Sequence, residues 1–108
     1  MNVQTISSTA KKVSIIDDGV EVARGRIYLI ENDLGHGSPY AYLEDVYVVD
    51  EARGRGYGTQ IVCALLEEAK KAGCYKVIGC SRYGREKVHE FYSKLGFKEW
   101  GKEFRLDL

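Results

Sequence analysis

The stretch that decides the fold is VVDEARGRGYGTQIV, residues 48–62. Its apolar, β-branched start is typical of the end of a strand. The following RGRGYG (53–58) contains too much glycine for a regular strand or helix and indicates a turn. From Thr59, a plausible N-cap region residue, apolar positions recur at the helical period as far as residue 72, and Gly73 follows as a stop. The stretch therefore predicts a strand, a glycine-rich turn and a helix.

Strands are predicted on both sides of this unit. The first three predicted strands are joined by turns or loops and should be antiparallel, whereas the strand–helix–strand unit over 40–80 should be a right-handed parallel crossover. We expect a single α+β domain over residues 1–108, with a mixed, mostly antiparallel sheet and two main helices. The predicted strands are 12–16, 20–31 with a kink at Gly25, 40–49, 75–80 and one or two within 97–108, and the second helix is 85–95.

Composition excludes several classes of protein. A chain of 108 residues with 44% hydrophobic and 30% charged residues suits one globular domain. The sequence has no apolar run near the roughly 20 residues of a membrane span and no visible secretory signal. The odd number of cysteines predicts reduced thiols in a cytoplasmic protein, and the lack of a Cys/His cluster argues against a metal site. The cysteines are Cys63, Cys74 and Cys80.

The net charge of zero conceals an asymmetry. Residues 1–52 carry 4 Lys/Arg against 9 Asp/Glu, and residues 53–108 carry 12 against 7. The basic half favours an anionic ligand. It is too weakly basic to indicate a nucleic-acid partner, which needs a concentrated basic face.

The turn at 53–58 has the features of a phosphate site. Unpaired amides of the first helical turn point outward with the helix dipole behind them, and Arg53 and Arg55 add positive charge. The dinucleotide fingerprint GxGxxG fails because its last glycine would fall at Thr59, and the P-loop pattern is absent. A tight structural turn with solvated arginines remains the alternative at this point.

Two motifs together resemble the GNAT acetyltransferases. The family's Arg/Gln-x-x-Gly-x-Gly/Ala motif is matched by Arg53, Gly56 and Gly58. Its second signature, a helix ending in Tyr-x-x-x-Gly-Phe, is present as FYSKLGF (91–97). The resemblance covers about residues 40–97.

The resemblance implies binding of acetyl-CoA. Amides of the turn would hold the pyrophosphate, the strand at 40–49 would splay from the strand at 75–80, and the pantetheine arm would lie between them. One main-chain N–H of the strand at 40–49, near Tyr47 and Val48, would polarise the thioester carbonyl. Arg85 stands where many members have asparagine, so it would replace that side-chain amide and could instead meet a CoA phosphate. The implied cofactor-binding residues are Tyr47, Val48, Arg53, Gly54, Arg55, Gly56, Tyr57, Gly58, Thr59 and Arg85.

The same resemblance implies transfer of the acetyl group to a primary amine. Tyr92 matches the family's usual general acid, and Glu44 is the best candidate for the base, acting directly or through water. Asp45 should point to the opposite face by strand alternation. An ordinary helix tyrosine and a solvated strand carboxylate are the alternatives for Tyr92 and Glu44.

Other residues receive structural interpretations. His36 should be exposed in a loop, and His89 shares a helix face with Tyr92. Cys80 ends a strand near the expected splay, but no His–Asp pair is visible to activate it. Trp100 and Phe104 are expected in the core or an interface.

The acceptor side departs from the family pattern. Members usually have two helices before the segment that matches Val20, whereas residues 1–19 read as a strand. We therefore expect an open acceptor site for a small-molecule or protein amine, or a site completed by a second subunit in a homodimer. The alternative function is a non-catalytic acyl-CoA-binding or regulatory interaction module.

Overall fold

The computed structural model describes residues 1–31, 37–81 and 83–108. Within these residues the sheet has the strand order β1-β2-β3-β4, with the first two pairings antiparallel and the third parallel. The mixed, mostly antiparallel sheet with two main helices is thus confirmed. The elements are β1 (Thr9–Asp17), β2 (Val20–Ile30), β3 (Tyr40–Val48), a 3-10 turn (Asp50–Ala52), α1 (Tyr57–Lys71), β4 (Val77–Gly79) and α2 (Glu86–Lys94).

The core lies between α1 and one face of the sheet. Apolar side chains at the helical period of α1 meet alternate residues of β2 and β3, because both elements bury a single face. Gly25 of β2 lies at the closest approach of the two layers. A β-carbon there would stand 2.6 Å from Ile61 and 2.8 Å from Leu65, so glycine lets the helix press on the sheet rather than kinking the strand. The buried cluster is Ala23, Ile27, Ala41, Leu43, Ile61, Val62, Leu65 and Ala69.

A β-bulge interrupts β3 opposite Gly25. Arg24 pairs with Tyr47 and Arg26 pairs with Glu44, so two residues of β3 oppose one of β2. The first of them, Asp45, has a φ of 56°, in the left-handed region. This position of such a bulge is usually taken by glycine.

The second helix packs against the start of the first. The ring of Phe91 lies 3.5 Å from the place where a β-carbon on Gly58 would stand. Tyr92 contacts Phe91 and Phe97 edge-to-face, with ring centroids 5.3 Å apart in each pair. These rings extend the apolar cluster from α1 toward the end of the sheet.

Some sequence-based expectations were wrong. Among the described residues, 97–108 contain no strand, although Phe104, Leu106 and Leu108 alternate with polar residues in a strand-like pattern. Trp100 is 93% exposed and Phe104 is 91% exposed, so neither lies in the core. A strand pattern needs a neighbouring strand to pair with, and the described part of the chain places none beside that segment.

The start of α1 also differs from expectation. Gly56, with a φ of 80°, is its N-cap and no side chain caps the helix, so Thr59 lies inside the first turn instead. The helix can begin earlier because glycine adopts the left-handed conformation without steric cost.

Candidate active site

The site begins where β3 and β4 separate. Their pairing runs from Ala41–Val77 to Leu43–Gly79 and ends there, while β3 continues to Val48. The last five residues of β3 therefore have β2 on one side and, among the described strands, no partner on the other. The resulting gap is the splay that the resemblance implied.

Main-chain direction along β3 shows which groups line this gap. The Val49 N–H donates to the Val22 carbonyl of β2 at 2.9 Å. Because successive residues of a strand point their N–H and C=O groups to opposite sides, Val46 and Val48 direct theirs into the gap. The main chain of Tyr47, which pairs with Arg24, points to β2 instead. Val46 was not identified from the sequence, since the bulge that shifts this alternation has no local signature.

The glycine-rich turn lies at the end of the gap. Gly54 and Gly56 both have a φ of 80°, and no heavy atom lies within 4 Å of the place where either would carry a β-carbon. The Gln60 N–H donates to the Gly56 carbonyl at 3.1 Å, so the amides of residues 57–59 precede the first intrahelical donor and have no acceptor within the helix. Open space, an uncapped helix start and free helix-start amides are the features of a cradle that can accept phosphate oxygens.

Two arginines hold the glycine-rich turn, Arg53 to the end of β3 and Arg55 to the 3-10 turn. The Arg53 Nε donates to the Val48 carbonyl at 3.0 Å, and its Nη1 lies 2.7 Å from an Asp50 carboxylate oxygen. The Arg55 Nη2 donates to the Glu51 carbonyl at 3.4 Å. Both arginines are exposed, so positive charge lies at the mouth of the cradle.

The other predicted cofactor residues differ in what their side chains do. The ring of Tyr57 packs on the buried cluster, which leaves its amide as the group facing outward. Gly58 provides the contact surface for Phe91 of α2. Thr59 is exposed in the first turn of α1, and Arg85 is exposed at the N-cap of α2.

Tyr92 is half-buried against the apolar cluster. Burial raises the pKa of its phenol, and the nearby Arg85 guanidinium opposes part of that shift. The phenol is therefore protonated at neutral pH, as a proton donor must be.

Glu44 lies on the other face of β3. It follows the buried Leu43, is exposed, and pairs in register with Arg26. On the same face a hydrogen bond with Cys80 raises the pKa of Tyr42 to about 12. Tyr92 and Glu44 thus lie on opposite faces of β3, one on each side of the sheet in which the β3–β4 gap opens.

Asp45 was placed on the wrong face by strand alternation. Its carboxylate accepts hydrogen bonds from Arg24 Nε at 2.8 Å and Nη2 at 3.2 Å, and it also pairs with Arg26. Both arginines alternate with the buried residues of β2, so they lie on the face away from α1. The left-handed φ of Asp45 turns its side chain to that face, and the Arg24 hydrogen bond holds the pKa of the carboxyl below its usual value.

The remaining candidates have no defined part in the site. The His36 prediction lies outside the described residues. His89 lies on α2, and Cys80 is exposed with a free thiol. Across 1–31, 37–81 and 83–108, no group of three or more His, Cys, Asp or Glu side chains could hold a metal ion. None of the helices in the same residues is long and apolar enough to cross a membrane.

A splayed β3–β4 pair, with a glycine turn opening a helix at the end of the gap, is the arrangement that the resemblance to the GNAT acetyltransferases implied. The model of the acetyltransferase (GNAT) family matches residues 8–97, and the chain belongs to this family.

Two similar proteins with curated names are glucosamine 6-phosphate N-acetyltransferases. Over 86 residues the chain is 38% identical to a protein of Oryza sativa subsp. japonica described as probable glucosamine 6-phosphate N-acetyltransferase 2, covering 79% of this chain and 49% of the relative. It is 42% identical over 72 residues to the glucosamine 6-phosphate N-acetyltransferase of Trypanosoma brucei brucei, covering 67% and 47%. The chain therefore spans about half the length of these relatives.

A solved structure confirms the fold. The crystal structure of a Trypanosoma brucei acetyltransferase superposes with a TM-score of 0.85 at 32% identity, over 92% of this chain and 69% of that one.

Proposed function

We propose that this chain transfers an acetyl group from acetyl-CoA to the primary amine of a small phosphorylated amino sugar. The observation that carries the proposal is the glycine turn at the end of the β3–β4 gap. Family membership supports an N-acetyltransferase reaction. The acceptor class is supported by the names of the two relatives described above.

The cradle fits a diphosphate. Amides from Gly54 to Thr59 would donate to its oxygens, because they are outward-facing donors without a competing side-chain cap. Arg55 and Arg85 would add charge from the turn and from the start of α2. Gly54 and Gly56 allow close approach, since nothing occupies the space above them.

Groups of the gap would then hold the acyl end. Main-chain groups of Val46 and Val48 would pair with the pantetheine arm, in the way one strand pairs with another. The Val48 carbonyl is already bonded to Arg53, so its N–H and the groups of Val46 are the ones left to pair. The Val46 N–H would donate to the acyl carbonyl oxygen, where negative charge develops during attack.

Two side chains would move the protons. Bound acetyl-CoA supplies the acetyl group as a thioester. An amine with a pKa of about 10 must lose a proton before attack, and Glu44 would accept it directly or through water. Tyr92 would donate its phenolic proton to the departing sulfur as the bond from nitrogen to the acetyl carbon forms and the carbon–sulfur bond breaks. The nitrogen would lose a second proton as the amide forms, and that proton would restore the Tyr92 phenol. Their positions on opposite faces of β3 suit an amine that attacks from one side and a thiol that leaves on the other.

We also propose that the chain acts in the cytoplasm as a homodimer. The free thiols of Cys63, Cys74 and Cys80 support a reducing compartment. Exposed apolar side chains within 97–108 support a second copy as the surface that covers them. Trp100 is the only tryptophan of the sequence, so its fluorescence should shift to shorter wavelength as the chain dimerises. An unshifted spectrum, together with a monomer mass by light scattering at all concentrations, would contradict the dimer.

The decisive experiment measures release of the CoA thiol against a panel of amines. Glucosamine 6-phosphate should be the best acceptor, ahead of glucosamine, an aminoglycoside and a lysine peptide. A preference for the peptide would refute the acceptor class, and no turnover with any amine would favour the alternative of a binding module.

Cofactor binding is tested separately by the shift in melting temperature that acetyl-CoA causes, because a ligand of the native state stabilises it. Gly56→Val should remove this shift. Gly73→Val is the matched control, since Gly73 also has a positive φ of 77° and open space but lies at the far end of α1. Equal shifts in the two variants would mean that the turn does not bind the cofactor.

A further inference from the structure

The ion cluster at the β3 bulge is not explained by cofactor binding or by proton transfer. It consists of Arg24 and Arg26 on β2 and Asp45 on β3. The two arginines flank Gly25, the single residue that opposes the bulge. The Asp45 carboxylate thus connects β3, at its bulge, to the two residues on either side of Gly25 in β2.

The conformation of Asp45 needs such a tie. Its φ of 56° places the β-carbon close to the following carbonyl oxygen, a strain that glycine avoids. Among the described residues, the only other non-glycine residue with a positive φ is Asp18, in the β1–β2 turn. A turn tolerates aspartate in this region, whereas Asp45 lies inside a strand, where the extended conformation competes.

The bulge decides which main-chain groups face the gap. Without the extra residue, the alternation set by Leu43 would continue through residues 45 and 47. With it, Val46 and Val48 take these places and pack on the α1 side. Their N–H groups consequently point into the gap between β3 and β4.

The cluster also reaches the glycine turn. The Arg24 guanidinium lies 4.9 Å from the centroid of the Tyr47 ring, and the Arg53 guanidinium lies 5.8 Å from it. Arg53 in turn bonds to the Val48 carbonyl. A continuous set of contacts therefore connects the bulge with the end of β3 and the start of the turn.

We propose that Asp45, held by Arg24 and Arg26, is a positioning residue that locks the bulge and so aims the Val46 N–H at the acyl carbonyl. The inference rests on the proposed acetyl transfer for its functional part. Its structural part, the lock itself, stands apart from any activity. Asp45 acts through the backbone and does not touch the reacting atoms.

Two substitutions separate a conformational role from a chemical one. Asp45→Gly removes the carboxylate but adopts a positive φ without strain, whereas Asp45→Ala removes the carboxylate and keeps the strain. We expect Asp45→Gly to retain kcat within about threefold, and Asp45→Ala to lose at least tenfold in kcat with little change in the KM for acetyl-CoA. Equal losses of kcat in both variants would overturn the positioning role and indicate that the carboxylate itself is required.

Asp18 provides the matched control. Asp18→Ala and Asp18→Gly change the same kind of backbone position away from the gap, and both should leave kcat unchanged. A loss of kcat in Asp18→Ala equal to that in Asp45→Ala would show that general destabilisation, rather than the bulge, lowers the rate.

Melting temperatures measured without ligand test the lock independently of catalysis. Asp45→Gly should melt above Asp45→Ala, because only the alanine variant retains the strained φ without its ion pairs. If this order holds while the unmodified chain acetylates no amine, the proposed function fails and the lock stands. If the two variants melt together, the lock fails whatever the activity.

Discussion

Gly25→Ala tests whether the close approach of α1 to the sheet holds the site together. The added methyl group would stand 2.6 Å from Ile61 Cγ2 and 2.8 Å from Leu65 Cδ1, where ordinary contacts begin at 3.4 Å. Both neighbours are 0% exposed and cannot swing into solvent. The helix must therefore shift away from β2.

The magnitude follows from two opposing terms. Overpacking of a filled core costs about 1–3 kcal/mol. Replacing glycine by alanine also restricts the unfolded chain, which stabilises the fold by about 0.4–1 kcal/mol. We expect Gly25→Ala to lower the free energy of unfolding by about 1–2 kcal/mol.

Gly79→Ala is the matched control on the neighbouring part of the sheet. Its β-carbon would lie 3.8 Å from Leu43, an ordinary contact, so only the favourable entropy term applies. Because that term is common to both variants, the difference between them isolates the overpacking.

The assay is thermal unfolding followed by circular dichroism. One kcal/mol corresponds to roughly 4–8 °C in a domain of this size. Gly25→Ala should therefore melt at least about 5 °C below Gly79→Ala. The rise in melting temperature that acetyl-CoA causes should also be smaller in Gly25→Ala than in Gly79→Ala, because a shifted α1 carries the glycine turn away from β3. Equal melting temperatures in the two variants would refute the close-packing argument.

Three further predictions concern the side chains of Tyr92, Glu44 and Asp45. Tyr92→Phe should lower kcat by about 10²-fold or more with unchanged acetyl-CoA affinity, since the ring contacts remain while the proton donor is lost; unchanged turnover would remove it as the acid. Because burial raises the phenol's pKa, the alkaline fall in kcat should lie above the ordinary phenol range in the unmodified chain and be absent in the phenylalanine variant. Glu44→Gln should lower kcat at least tenfold and retain the stabilisation by acetyl-CoA, and equal kcat would leave water as the base. Asp45 stabilises the fold above its ordinary pKa of about 3.9 and loses this effect as pH falls through its lowered value; the deficit in unfolding free energy of Asp45→Asn should therefore be largest near neutral pH and shrink in acid, as urea titrations would show.

Local patterns predicted most of the secondary structure. The helical period before Gly73 and the alternation along β2 and β3 describe one buried face each, so the elements and their order follow from the sequence. The observed start of α1 differs from the predicted one, because Gly56 can adopt the left-handed conformation there. The alternation over 97–108 predicted strands that the structure does not contain. Alternating apolar residues form a half-buried strand only where another surface covers the apolar face.

The site was predicted unevenly. Arg53, Gly54 and Gly56 lie together at the end of the gap, as a strand, a turn and a helix in succession predict, and their part in binding stays a prediction. Val46 and the partners of Asp45 could not be identified from the sequence. A single residue in the left-handed conformation reverses the alternation along β3, and neither composition nor spacing indicates it. The left-handed conformation of Asp45 also turns its own side chain to the face that alternation excluded.

The sequence by itself determined the strand–turn–helix unit, the buried faces and the family motifs, because these depend on neighbours a few positions apart. The tertiary structure alone decided where β3 separates from β4, which N–H groups enter the gap and which arginines hold the bulge. These features arise from pairing between distant segments. The contact of Gly25 with α1 and the ion pairs of Asp45 join residues about 20 to 40 positions apart, beyond the reach of any local pattern.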